Sequence, residues 1–352
     1  MFISLVLLYI TCLSFAFLEE RLSDRDKKLL YAVMGVVMIL IAGLRVPGAT
    51  PDSDQYEVLY YSKDTILVEP SFTLLSDFYL SMSLGVNALF ITYAAISVPL
   101  RLNAIWKLSS LPILTLSIYI SHYYQLHDVV EMRCAASSAL FLLAVYYKLE
   151  KKIAYSLLCI ILGVFFHYSA IVGLIIFAID NKPLKSWHYY ALQLIIPIGI
   201  LYFLSGMDFL QFIPAEIGGE KLQRYRELKE KGLEGDMEGI PFFKDPAIML
   251  NILLYYGCLF YHELLTDKYK YFPIFMKLFG LAFICKFFLA SLSSVLASRM
   301  FEYFDVVSIF LWTAAAYAFY PLDIGKCVIS FASTVRFFFS SLIYVLGLGV
   351  NH

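Results

Sequence analysis

The chain has 352 residues, 61% of them hydrophobic and only 16% charged, with a formal net charge of −1. A soluble domain carries ~45–50% apolar and ~25% charged residues, so an ordinary soluble enzyme is excluded and one integral membrane domain over 1–352 is expected. The net charge is uninformative about nucleic acid, because charge distribution matters more than its sum; no nucleic-acid partner is expected.

A crossing helix needs about 20 apolar residues, roughly 17–25. Candidate spans are 1–18, 29–45, 87–105, 111–126, 132–147, 153–166, 168–180, 188–205, 247–265, 273–292, 303–320 and 328–350. The expected fold is therefore all-α and polytopic, with about twelve spans (roughly 10–14). The first, MFISLVLLYITCLSFAFL, has no basic leader and no small-residue cleavage site. It reads as a retained span rather than a signal peptide.

Basic residues set the orientation. Arg21, Arg25, Lys27 and Lys28 follow the first span, and Arg101 and Lys107 the third. Lys148, Lys151 and Lys152 follow the fifth, Lys182 and Lys185 the seventh, and Lys268 and Lys270 the ninth. All fall on one side, which is read as cytoplasmic, and an even span count puts both termini outside. Residues 153–180 have lysines at both ends, and a single crossing would leave one cluster outside. A hairpin of two short helices keeps both clusters inside and puts His167 at its outer apex.

Two external segments are expected, 46–86 and 206–246. In the first, Glu69-Pro70 is a helix start with proline in the first turn. Phe72, Leu75, Tyr79, Met82 and Val86 then form one apolar face, which predicts a helix lying on the outer membrane surface. The second contains Gly218, Gly219, Gly232, Gly235 and Gly239 around a charged helical stretch. Its lysines escape the orientation rule because long loops translocate regardless of charge.

Three arginines break the positive-inside pattern. Arg45 closes the second span, Arg133 opens the fifth, and Arg299 precedes the eleventh. A charge at an outer span edge is costly unless partnered or snorkelling to the interface. Three guanidiniums facing one outer cavity suit an anionic group such as pyrophosphate, which they bind in bidentate fashion.

Carboxylates and a histidine accompany them. Asp52 and Asp54, in Asp52-Ser53-Asp54-Gln55-Tyr56, would bind a metal, orient sugar hydroxyls or act as a base; a turn or helix cap is the plainer reading. The string lacks the glycine and terminal glutamate of an EF-hand loop. His167 is either a packed core histidine or, beside the arginines, a catalytic base. His122 and His127 are weaker outer candidates. Tyr56, Glu69, Arg224 and Tyr303 are the candidate sugar contacts. Lys286, expected midway through the tenth span without an evident partner, is a functional candidate or half of an ion pair.

Cys12, Cys134, Cys159, Cys258, Cys285 and Cys327 lie in or beside apolar spans. They form no CxxC and no zinc spacing with histidine, so they read as small buried side chains. No metal and no cofactor is expected. Walker A, GxGxxG, HExxH and GxSxG motifs are absent from the sequence, which argues against ATP-driven transport by this chain alone.

The order of these features resembles the EpsG/Wzy-type family of bacterial polysaccharide polymerases over most of the chain. The resemblance rests on the early span, the basic Glu20–Lys28 loop, Gly43-Leu44-Arg45 and Asp52-Ser53-Asp54-Gln55-Tyr56. It continues through Glu69-Pro70, Arg133 before the small-residue run Ala135–Ala139, Phe166-His167-Tyr168-Ser169-Ala170, and Arg299 with Tyr303-Phe304. Glu131 and Cys134 stand where the family often has asparagine and glutamine around the arginine. The resemblance implies an inner-membrane, GT-C-like glycosyltransferase acting at the periplasmic face; arginine forks holding the pyrophosphate would make it metal-independent. Its substrates would be undecaprenyl-pyrophosphate-linked glycans, with membrane lipid around the tails and a chain-length regulator as a candidate partner. The alternatives from the residues are an O-antigen ligase-like transferase and a flippase for lipid-linked oligosaccharide.

Overall fold

The structure, a computed structural model, describes residues 1–62, 68–205, 246–290 and 293–347. Every regular element among them is helical. Five helices are long and apolar enough to cross a membrane: Phe2–Arg21, Val86–Leu108, Ser186–Ser205, Phe272–Leu289 and Leu322–Tyr344. A sixth would be the pair Ala247–Phe260 and His262–Lys268, bent by 83°. Shorter apolar helices lie at Pro112–Ser121, Ile153–Phe166, Tyr168–Ala178 and Ser308–Ala318, within or across four of the expected spans. The chain is a multi-pass helical membrane protein.

The described residues fall into two compact units, Met1–Asp180 with Trp312–Asn351, and Asn181–Leu311. In the first, α1 (Phe2–Leu18) is followed by α2 (Asp24–Gly43). Ser23 caps α2, its side chain accepting from the Asp26 amide at 3.2 Å, with Asp24 and Asp26 in the first turn; both features favour a helix N-terminus. Short helices α3 (Ser53–Tyr61) and α4 (Pro70–Ser81) precede α5 (Val86–Leu108). Gly43 ends α2 where the backbone of α5 passes close: a Cβ there would lie 2.8 Å from the Ile91 backbone. Glycine is the residue that permits this approach.

Helix α4 starts at Glu69-Pro70 as the sequence indicates, with Pro70 at its first position. Its apolar face does not meet lipid as expected. Phe72 is buried, and Leu75 and Tyr79 pack on a cluster with Leu89, Phe90 and Tyr93 of α5. Hydrogen bonds between Ser71 and Tyr93 (2.8 Å) and between Tyr79 and Thr92 (2.5 Å) fix that face to protein. Leu74 and Phe78, on the other side, are the exposed apolar residues of α4. Met82, counted in the expected face, lies past the helix end and is exposed.

After α6 (Pro112–Ser121), a π-helical segment, Tyr124–Val130, leads through a break at Glu131 into α7 (Met132–Leu149). Residues 134–145 of α7 are buried on every side. Ala135, Ala136, Ser137, Ser138 and Ala139 give it a small-residue surface, which lets neighbouring backbones approach. It packs against α5 and against α8 (Ile153–Phe166).

The segment after α8 is a hairpin, as the two lysine clusters predict. The chain turns extended at His167 (φ −155, ψ 120) and returns as a 3-10 helix, Tyr168–Ala178, that packs on α8. Lys148 at the end of α7 donates to the Ile179 carbonyl. The lysine ends therefore lie together and His167 sits at the opposite apex. Helix α15 (Leu322–Tyr344) completes this unit against α1 and α6.

The second unit contains α9 (Ser186–Ser205), α10 (Pro246–Phe260), α11 (His262–Lys268), α12 (Phe272–Leu289) and α13 (Ser294–Asp305). Helix α14 (Ser308–Ala315) leads out of it into the first unit. Helix α12 packs on α9 and α13, and Asn251 donates to Asp305 at 2.9 Å between two buried residues. The span expected at 303–320 is interrupted, since α13 ends at Asp305 and α14 begins at Ser308. Lys286 lies in the last turn of α12, not midway, and donates to Ser298 at 2.8 Å. A cation there complements the helix dipole. Apart from residue 246, the expected outer segment 206–246, including Arg224, lies outside the described residues.

Candidate functional site

The site is built in the first unit where α2 and α8 end and α4 and α7 begin. Tyr56, Tyr60, Phe72, Val86, Leu89, Phe90, Tyr93 and Met132 form a buried apolar floor, with Phe166 packed against it. Apolar surface removed from water holds α3 and α4 in place here. Three polar groups stand on the floor.

Glu69, the cap residue of α4, is 1% exposed. One carboxylate oxygen accepts from Arg133 at the start of α7, and the other meets His167 Nδ1 at 2.7 Å. Burial pushes the Glu69 carboxyl up, but the His167 hydrogen bond and the charges of Arg133 and His167 outweigh it and hold it at about 2. The carboxylate is therefore ionised and acts only as an acceptor. It fixes the Nδ1–H tautomer of His167 and leaves Nε2 as the basic nitrogen. Arg133 lies over the rings of Tyr56 (5.4 Å) and Phe72 (5.8 Å). The Arg133 side chain is 21% exposed and that of His167 16%, so both can meet a ligand.

Arg45 lies beside this group and is more enclosed. It is 3% exposed and stacks over Phe90 at 3.9 Å. It donates to the Ala42 carbonyl at 2.5 Å and to the Asp128 carbonyl at 3.4 Å, and contacts Met132 Sδ at 3.7 Å. It thus ties the end of α2 to the start of α7, next to Arg133.

The other sequence candidates separate. Asp52 is the cap residue of α3 and is half-buried within electrostatic reach of Arg45 and Tyr56. Asp54 is exposed and turned toward Gly48, whose φ of +82° suits glycine in that turn. Tyr56 and Glu69, read as sugar contacts, are buried beneath Arg133. Arg299 is exposed on α13 of the second unit, and Tyr303 on the same helix is 1% exposed. His122 is buried against Ser340 at 2.8 Å, a packing role.

A deeper polar network escaped the sequence reading. Arg101, counted there with a cytoplasmic loop, is inside α5 and fully buried. It donates to Ser138 at 2.5 Å and stacks over Tyr119 at 4.9 Å. Asp128 accepts from Ser97 at 2.5 Å and from Tyr119, within electrostatic reach of Arg101 and Arg45. The available signal was an arginine flanked by apolar residues, together with the His127-Asp128 pair between spans. His127, Glu131 and Cys134 also come together, their ligand atoms within 4.8 Å of one another. Their spacing of i, i+4 and i+7 is that of one helical face, and the three stay together although the chain breaks at Glu131. All six cysteines are free thiols; Cys327 is exposed rather than buried, on the outward side of α15.

No curated protein and no solved structure matches the chain. The model of the EpsG family matches residues 28–350, nearly the whole length. On that match the chain belongs to the EpsG family.

Proposed function

We propose that the protein polymerises undecaprenyl-pyrophosphate-linked repeat units into a surface polysaccharide, working at the periplasmic face of the bacterial inner membrane. Membership of the EpsG family supports a polysaccharide polymerase role. The observation that carries the chemical reading is the Glu69 carboxylate shared between Arg133 and His167.

An acceptor sugar hydroxyl would donate its proton to His167 Nε2 as its oxygen attacks the anomeric carbon of the growing chain. The anomeric C–O bond to pyrophosphate breaks, and undecaprenyl pyrophosphate leaves with the electron pair. Glu69 holds the imidazole in the required tautomer and stabilises the imidazolium that forms, as a carboxylate does behind a catalytic histidine. Arg133 engages Glu69 through one Nη and has further donors for the leaving group. Each well-placed donor lowers such a barrier by roughly 3–4 kcal/mol. Arg45 steadies the same helix end and adds positive charge. Arg299, exposed on α13, is proposed as a further phosphate-binding cation, and Asp52 and Asp54 as acceptors for sugar hydroxyls. Cationic side chains supply the counter-charge, so no divalent ion is needed at the pyrophosphate.

The test is the glycan of a deletion strain. Single-repeat glycan at the cell surface supports the polymerase. Absence of surface glycan, with long lipid-linked chains retained, would instead assign a ligase.

A further inference from the structure

We propose that His127, Glu131 and Cys134 form a binding site for a soft divalent cation, with zinc the preferred ion. Their ligand atoms lie within 4.8 Å of one another, and the site is independent of the polymerase reading. It lies at the junction where the π-helical segment breaks at Glu131 and α7 begins.

Three observations converge. The first is the donor set. An imidazole nitrogen, a carboxylate oxygen and a thiolate sulfur are the three ligand types of protein zinc sites, and the thiolate disfavours magnesium and calcium. Ionised Glu131 and Cys134 together balance a divalent charge; the thiol proton is released to water as the ion binds.

The second is His127 Nε2. The residue is fully buried, and this nitrogen has no hydrogen-bond partner among the described residues. Buried polar atoms are rarely left without a partner. The third is the support behind His127. Ser138 Oγ lies 3.2 Å from Nδ1, receives Arg101 at 2.5 Å, and donates to the Ala135 carbonyl at 3.3 Å. With its proton turned to Ala135, Ser138 accepts from Nδ1–H, which leaves the lone pair on Nε2, the nitrogen without a partner, for an ion. A second hydrogen bond that fixes the tautomer is the usual companion of a metal-binding histidine. Glu131 is half-buried.

The three ligands span the break, so the ion would clamp the π-helical segment to α7 and fix the direction in which Arg133 leaves the helix. This is a positioning role, with no place in the glycosyl-transfer step.

The experiment uses the full chain purified in detergent. Zinc is measured by mass spectrometry, and cobalt(II) is titrated as a spectroscopic probe. Stoichiometric zinc and a thiolate-to-cobalt charge-transfer band are expected. Cys134→Ser should abolish the band, Cys159→Ser should retain it, and Ser138→Ala should weaken metal affinity by ~10–100-fold. A monodisperse, folded chain with neither zinc nor the cobalt band overturns the proposal, as does a band that survives Cys134→Ser. If Cys134→Ser does not fold, Glu131→Gln decides. At least tenfold weaker cobalt binding supports the site, and unchanged affinity overturns it.

Discussion

Two regions of the first unit use arginine in opposite ways. At the start of α7, Arg133 pairs with Glu69 and stays partly exposed beside His167. In the interior, Arg101 is fully enclosed by Ser138 and Tyr119, close to Asp128. The first arrangement keeps donors and a basic nitrogen available to a ligand. The second is closed to a ligand: one Nη of Arg101 donates to Ser138 on α7, and its guanidinium stacks over Tyr119 of α6. A buried ion pair costs desolvation and is damaged by losing one partner; an edge pair with accessible atoms can exchange one partner for a substrate. The contrast is the reason chemistry is proposed for the first region and architecture for the second.

His167 should show the largest effect. His167→Ala should lose about 10²–10⁴-fold in polymerisation rate, while His167→Gln keeps part of it by positioning the hydroxyl. The wild-type rate should fall on the acid side as the imidazole becomes protonated, and that limb should vanish in the glutamine variant. Unchanged rate and pH profile in His167→Ala would move the base assignment to Asp52 and Asp54.

Arg133→Ala should cost on the order of 10²–10³-fold in rate with the amount of protein in the membrane unchanged. Arg133→Lys should rescue poorly, because a point charge does not reproduce a planar fork. Arg299→Ala should behave in the same way. Arg101→Ala should instead destabilise the chain by about 3–5 kcal/mol, leaving Asp128 without its counter-charge, and lower its abundance. A stable, inactive Arg101→Ala with an active Arg133→Ala would invert the comparison.

Glu69 links the site to stability through pH. Its carboxyl is held down at about 2 in the folded chain, below the ordinary glutamate value of about 4.3. The stabilisation it gives is complete above the ordinary value and is lost as pH falls toward about 2. By linkage it amounts to roughly 3 kcal/mol. Thermal melting in detergent should drop more steeply below pH ~4.3 for wild type than for Glu69→Gln; equal slopes would remove Glu69 from the ionised cluster.

Smaller effects follow from packing and from ions. Gly43→Ala should cost about 1–3 kcal/mol, because its methyl meets the Ile91 backbone and forces α2 from α5; the readout is melting temperature with reduced activity. In metal-free buffer, adding Mg²⁺ or Mn²⁺ should leave the polymerisation rate unchanged. A dependence on either ion would place a metal, not arginine, at the pyrophosphate.

Much of this was legible in the sequence because it follows local rules. The apolar runs gave the helices, and Glu69-Pro70 gave the start of α4. The lysines flanking 153–180 gave the hairpin with His167 at its apex. Those signals depend on hydropathy, capping and charge bias, each readable within a short window. The joining of Glu69 to Arg133 and His167 was not readable, because it crosses 64 and 98 residues of chain. Nor was the enclosure of Arg101, which depends on α7 supplying Ser138 across the helix interface. The apolar face of α4 was visible as a face, but hydropathy is the same whether it meets lipid or protein. Packing against α5 decided that. By itself the sequence determined a multi-pass helical chain with arginines and a histidine at span edges. The tertiary structure decided which of these charges share a carboxylate and which are locked inside, because burial and pairing depend on neighbours distant in the chain.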